Sequence, residues 1–203
     1  MNIAIDISHV ILKTDRLILR PFNMGDLNDF FAYAAVKGVG ELAGWSHHED
    51  INESKAVLIS YIKGKRTLAL EYQGRVIGSL EFDDYDEKML NELSPYACVE
   101  LGCVLSKEYW GHDFMMEATT AVIDYCFNAL NIDVIIGSHL SYNYQSLRLQ
   151  EKLGFIHYKQ FAYYNEELNI RNHAWITLLF NDKNIRKEIL SSIYETQTGK
   201  AKS

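Results

Sequence analysis

Residues able to hold an anion or exchange a proton fall in one part of the chain. The turn Lys107-Glu108-Tyr109-Trp110-Gly111-His112-Asp113 separates an apolar run, residues 99–105, from a helical periodicity that starts at Phe114. Free backbone N–H groups at the start of a helix can bind anions, and a Gly-bearing turn lets them converge. Trp110, Gly111, His112, Asp113, Phe114 and Met115 are therefore a candidate anion cradle. The alternative is an ordinary strand-to-helix turn. Further along, Asn143 and Ser146 stand one helical turn apart, ahead of Lys152-Leu153-Gly154-Phe155. Glu100, His48 and His139 complete the set of proton-exchanging side chains. For a lone histidine, a hydrogen-bonded structural role is the commoner alternative.

The elements that must position these groups read as follows. Residues 17–21 form a strand, and Asp26 caps a helix reaching Val36. Residues 37–50 form a loop carrying Trp45, His47 and His48, and Asn52 caps a helix over residues 53–63. Residues 67–72 and 76–82 flank Gln73-Gly74-Arg75 as a hairpin. Residues 83–96 are an acidic connector, and residues 97–105 are the fourth strand. Residues 114–130 are the clearest amphipathic helix. A fifth strand over 133–138, a helix over 143–153 ended by Gly154, and strands over 155–164 and 172–180 follow. His139 then falls just after the fifth strand. The order β α α β β β α β α β β predicts one mixed α+β domain. Residues 1–10 are an arm, loose or an extra edge strand, and residues 11–182 are the domain. In residues 183–203 a short helix carrying Ile185, Ile189, Leu190 and Ile193 leads into a polar, disordered tail from Thr196.

With 203 residues, 48% of them hydrophobic, the chain can bury one full core. Its formal charge of -7 argues against a nucleic-acid partner, which needs clustered Lys and Arg. Cys98, Cys103 and Cys126 match no metal or redox spacing, so reduced thiols, no metal and a cytoplasmic location are expected. Neither a secretory leader nor a membrane span is expected.

Taken together, these motifs resemble the GNAT superfamily of N-acetyltransferases, and within it the RimJ/RimL type that acetylates protein N-termini. The resemblance spans residues 12–179. It rests on Thr14-Asp15-Arg16-Leu17-Ile18-Leu19-Arg20-Pro21, the Trp45 to His48 loop, Glu100-Leu101-Gly102, Tyr109-Trp110-Gly111, Met116-Glu117-Ala118, and Asn143 and Ser146 through Phe155. It implies a mostly antiparallel mixed sheet, flanked by helices and splayed between its fourth and fifth strands. It further implies acetyl-CoA as donor, with pantetheine lying along Cys103, Val104 and Leu105 and the diphosphate on residues 110–115. Asn143 would meet the pantetheine amide. Ser146 would stand beside the sulfur as general acid, since Gln150 occupies the place where many members carry a Tyr. Glu100 is the expected base, and Trp45, His48 and His139 are expected at the acceptor. Each has a plainer alternative: Gly102 permits tight packing, Asn143 is an N-cap, and Ser146 is an ordinary helix residue.

One residue departs from the family pattern. Asp113 stands where the family carries Gly or Ala before the helix, and its carboxylate would repel a diphosphate unless turned outward, the orientation expected here.

An α-amine is about 14% neutral at pH 7 and a lysine amine about 0.04%, so an α-amine demands less of a base. A protein or peptide N-terminus is the leading acceptor, with small amines such as polyamines or aminoglycosides as the alternative. Transfer of a longer acyl group and a non-catalytic acyl-CoA-binding module also remain open, as does monomer against homodimer. The acidic series Glu81, Asp83, Asp84, Asp86, Glu87 and Glu92 could attract a cation, although such runs are usually solvated connectors.

Overall fold

The computed structural model describes the backbone of residues 1–199 and side chains up to residue 191. Its centre is an eight-stranded sheet in the order β1-β2-β3-β4-β5-β6-β8-β7. One half, antiparallel throughout, comprises β1 (Leu12–Lys13), β2 (Ile18–Pro21), β3 (Thr67–Tyr72), β4 (Arg75–Asp83) and β5 (Cys98–Leu105). The other half is β6 (Val134–Leu140), β8 (Ile170–Phe180) and β7 (Ile156–Asn165), also antiparallel. A parallel pairing of β5 with β6 joins the halves, giving the mixed α+β sheet expected from the sequence.

That pairing stops early. Cys98, Val99 and Glu100 align with Val134, Ile135 and Ile136, and beyond them the strands part. Residues 101–105 keep only β4 as a strand neighbour, and residues 137–140 keep only β8. Because Leu12–Lys13 counts as a strand, the expected fourth and fifth strands are β5 and β6.

The two-residue repeat of β5 assigns its faces. Leu101, Cys103 and Leu105 pack with Leu80, Phe82, Val122 and Cys126 beneath α4 (Phe114–Asn128). Val104 packs on the other side, with Phe30 and Tyr33 of α1 (Leu27–Ala34) and Leu58 of α3 (Ile51–Gly64). Glu100 and Gly102 alternate onto that second face. Among the described residues no helix is long and apolar enough to cross a membrane.

Several local expectations change. The Asp26 side chain does not cap α1; it closes a capping box with Asn23 on a 3₁₀ turn and binds Arg20 Nη1 and Nη2 at 2.9 and 2.8 Å. Asp50, not Asn52, caps α3, accepting from Asn52 N–H at 2.7 Å. The 37–50 loop contains a single helical turn, α2 (Gly40–Ala43). The first residues are not loose, because Asn2 bridges Cys98 and Ile5 and Ile7 are buried. The acidic connector buries Tyr85, Leu90 and Leu93 in a second core with Ile136, Ile176 and Leu178. α5 spans Tyr144–Lys152, and α6 (Lys183–Gly199) runs through the start of the segment expected to be disordered. No Pro or Gly interrupts residues 183–198, so nothing local breaks that helix. Ile185 and Ile189 pack on the second core. The Ile193 side chain and residues 200–203 lie outside the described residues.

Candidate active site

The turn into α4 is set by two left-handed residues, Gly111 at φ +79° and Asp113 at φ +58°. Gly reaches this region without strain, and Asp is among the few side chains that tolerate it. The first helical bond runs from Glu117 N–H to Asp113 O at 3.0 Å. The N–H groups of Phe114, Met115 and Met116 precede that bond and have no intrahelical partner. The Asp113 carboxylate makes no cap bond to these groups. It lies in solvent, 3.5 Å from Lys152 Nζ on α5. The feature expected to weaken the cradle is therefore turned outward and paired.

The N-terminal motif holds this turn in place. Glu117 of α4 accepts from the Thr14 hydroxyl, from Arg16 N–H at 2.8 Å and from Arg16 Nε at 2.6 Å. Burial alone would raise the Glu117 pKa, but these bonds overcome it and hold the carboxyl low. Arg16 also donates to His112 O at 3.0 Å and covers the Phe114 ring at 4.2 Å. At the other end, Trp110 Nε1–H donates to Leu105 O at 2.8 Å, tying the turn to the end of β5. The Trp110 indole packs with Val104 on the α1–α3 side, so its side chain is structural. His112 is exposed.

Where β5 and β6 part, one polar chain crosses the sheet. The Ser138 hydroxyl donates to Glu100 Oε1 at 2.7 Å. Gln150 Nε2 donates to Ser138 O at 3.2 Å and to Ser146 Oγ at 3.1 Å. Gln150 Oε1 accepts from Thr177 Oγ1 at 2.9 Å and lies 2.8 Å from His139 Nδ1, so that nitrogen carries the proton. Every Gln150 amide position is thereby used, and Ser146 Oγ, already an acceptor, keeps its own proton to give. Glu100 is half-buried, and its pKa is raised by burial and by Asp83 against the lowering bond from Ser138. Burial pushes the Cys103 thiol up to about 11, so it stays protonated at neutral pH. All three cysteines are free thiols.

The structure therefore joins Glu100 to Ser146. His139 belongs to the same network, but inside β6 rather than after it, and faces α5 and the His157 ring at 5.6 Å. Burial lowers its pKa, leaving it neutral at pH 7. Trp45 and His48 lie outside that network: Trp45 packs in the α1–α3 cluster that holds Val104 and stands ring to ring with His48 at 5.1 Å, and His48 Nδ1 is 2.6 Å from Ser54 Oγ. Their loop crosses the split: Leu42 O accepts from Asn143 Nδ2 at 3.1 Å, and Gly44 O accepts from Asn165 Nδ2 at 2.8 Å. Asn143 also caps α5 through Ser146 N–H at 3.1 Å. This is its plainer role, and one amide hydrogen remains for a ligand.

The sequence reading grouped Glu81 and Asp83 with an acidic run and did not place them at the site. The residues facing Glu100 and Gly102 across β4 are Asp83 and Glu81. Burial and Asp83 push Glu81 up to about 7; burial likewise raises Asp83 against the lowering effect of Arg66. The alternation Ser79, Glu81, Asp83 opposite Leu80 and Phe82 was the available signal. Among the described residues no group of His, Cys, Asp and Glu could hold a metal.

A sheet split beside an open helix start, with proton-exchanging groups at the fork, is a candidate acyl-transferase site. The acetyltransferase (GNAT) domain model matches residues 16–156, and the chain belongs to this family of acyltransferase enzymes. It is similar to "Uncharacterized N-acetyltransferase p20" of Bacillus licheniformis, 23% identical over 151 residues, 71% of this chain and 81% of that one. Among solved structures, it superposes on a GNAT-family acetyltransferase from Bacillus anthracis with TM-score 0.73 at 18% identity, covering 85% of this chain and 99% of that one. A ribosomal-protein-S5-alanine acetyltransferase from Vibrio fischeri gives 0.65 at 17%, covering 86% and 98%. The microcin C7 self-immunity acetyltransferase MccE, in complex with acetyl-CoA and AMP, gives 0.69 at 13%, covering 82% and 93%.

Proposed function

We propose that this enzyme transfers acetyl from acetyl-CoA to a primary amine by direct attack, and that the acceptor is the N-terminal α-amine of a peptide or protein. The observation that carries the reading is the hydrogen-bonded chain from Glu100 through Ser138 and Gln150 to Ser146, placed where β5 leaves β6. The structure of MccE with acetyl-CoA supports the donor, and the similarity in fold to the ribosomal-protein acetyltransferase supports the acceptor.

The residues present fit this donor. The N–H groups at 111–116 suit a diphosphate, and the edge of β5 at Cys103, Val104 and Leu105 suits the pantetheine arm. The donor supplies an acetyl thioester. Glu100, with its raised pKa, takes the proton that the acceptor ammonium must lose before it can attack. Ser146 gives its proton to the departing sulfur, held toward that task by the bond it accepts from Gln150. A backbone N–H of the open β5 edge polarises the carbonyl. The protonated Cys103 does not act as a nucleophile, which favours direct attack over an acyl-cysteine.

An acceptor screen tests this. Thiol release from acetyl-CoA is measured with peptides beginning Ala, Ser and Met, the same peptides N-terminally blocked, polyamines and aminoglycosides. Release with free but not blocked peptides, reduced at least tenfold in Glu100→Gln, supports the reading. Tight binding of acetyl-CoA with no release for any amine would support a non-catalytic module.

A further inference from the structure

We infer that the acceptor carries a second positive group, held by Asp83 and Glu81 while its reacting amine sits at Glu100. This rests on the transferase reading above and names the charge of its acceptor.

Placement comes first. The β4–β5 register sets Asp83 against Glu100, Glu81 against Gly102 and Ser79 against Val104, all on the α1–α3 face. Adjacent strands lie about 4.8 Å apart, so the two acids form a second anionic station one strand from the first. Gly102 leaves the space between them open. A Cβ at that position would sit 3.5 Å from Asp83 Oδ2 and 3.8 Å from Glu81 Cβ. The Asp83 carboxylate thus leans over Gly102, beside the fork of the sheet.

Pairing comes second. Most of the acidic series is engaged locally. Asp84 binds Arg66 at 2.8 Å, Asp86 accepts from Lys88 and Met89 N–H, Glu87 from Asn2 N–H, and Glu92 from the Tyr158 hydroxyl. Glu81 has only a long contact from the Thr67 hydroxyl, 3.4 Å. Among the described residues no salt bridge reaches Glu81, Asp83 or Glu100. The nearby cation, Arg66, is committed to Phe82 O at 2.6 Å and to Asp84. Three carboxyls share one face of the sheet with no ion pair of their own; Arg66 lowers Glu81 and Asp83 only in part, and burial with repulsion between the acids holds them back from ionising.

A separate observation points the same way. The Tyr33 hydroxyl, on α1, is buried with 2% exposure and makes no hydrogen bond of good geometry; its polar neighbours are Tyr61, Ser79, Asp26 and Glu81. A buried hydroxyl without a partner is costly. An ammonium beside Glu81 adds positive charge where Arg66 offsets the acids only in part.

A compact diamine and a peptide with Lys or Arg next to its N-terminal residue share this chemistry. The test compares matched pairs with the full chain and acetyl-CoA at pH 8: 1,4-diaminobutane against 1-aminobutane, and peptides beginning Ala-Lys against Ala-Gln. At least a tenfold higher kcat/KM for the dicationic member of a pair is expected, and the pair that shows it identifies the source. In Glu81→Gln/Asp83→Asn the ratio is expected to fall below twofold. Equal kcat/KM within both pairs, or a preference that survives in the double variant, overturns the inference. If no amine is acetylated, the transferase reading fails separately, and thermal shift decides the charge site. The dication must stabilise the wild type more than the monoamine does, and must lose that advantage in the double variant; equal shifts overturn it.

Discussion

Replacing Glu81 by Gln is expected to stabilise the protein at pH 8 and to leave it unchanged near pH 4. The carboxyl rises from an ordinary 4.5 to about 7 in the folded protein, chiefly by burial and secondly by Asp83. An acid raised in this way is harder to ionise folded than unfolded. The folded state therefore loses stability as pH climbs from 4.5 to 7, and the loss is complete above 7. The gap of about 2.5, at 1.36 kcal/mol per pH unit, sets a ceiling of about 3.4 kcal/mol. Because Glu81 is only half-buried, solvent screening reduces this to about 1–2 kcal/mol. For a chain of this size that corresponds to a Tm rise of about 3–6 °C. Glutamine keeps the shape of the side chain and removes the charge. Circular-dichroism melts of both proteins from pH 4 to 8.5 would show the curves coinciding at the acid end, separating as pH rises from 4.5 to 7, and running parallel above 7. A constant offset at all pH values, or a less stable variant at pH 8, would refute the argument.

Three further outcomes are expected. Ser146→Ala lowers kcat at least tenfold while the acetyl-CoA Kd, by calorimetry, stays within twofold; unchanged turnover would remove Ser146 from the mechanism. Asp113→Gly relieves the left-handed backbone and removes an exposed ion pair of about 0–1 kcal/mol, so the CoA Kd stays constant or tightens up to about threefold. A weaker Kd would mean that the carboxylate makes a needed contact. Arg16→Ala frees Glu117 and the His112 carbonyl, costing about 1–3 kcal/mol in urea unfolding and weakening CoA about tenfold; intact CoA affinity would show that the turn is rigid without it.

Local signals carried the amphipathic helix at Phe114, the Gly74 hairpin and the strand at residues 97–105, observed as Cys98–Leu105, because period and turn chemistry act over a few residues. What depended on distant contacts was less visible. The 83–96 segment looked solvated because its charges outnumber Tyr85, Leu90 and Leu93, whose burial requires β6 and β8. Nothing local in Glu100-Leu101-Gly102 says that pairing ends there; only the family resemblance placed the split. The motifs at Thr14–Arg16 and Glu117 were recognised separately, yet their common purpose is a single clamp on the anion turn. Gln150 was read as a missing Tyr, whereas it links His139, Thr177, Ser138 and Ser146. Glu81 and Asp83 were hidden inside a charge run, although their alternation with Leu80 and Phe82 already marked a polar face.

The central claim is that acetyl-CoA lies in the fork between β5 and β6 with its diphosphate on the start of α4. Amide hydrogen exchange, followed peptide by peptide with and without acetyl-CoA, tests it most directly. The account predicts slowed exchange at 111–116 and along 101–105. Protection confined to other segments, or no association at millimolar acetyl-CoA, would contradict it.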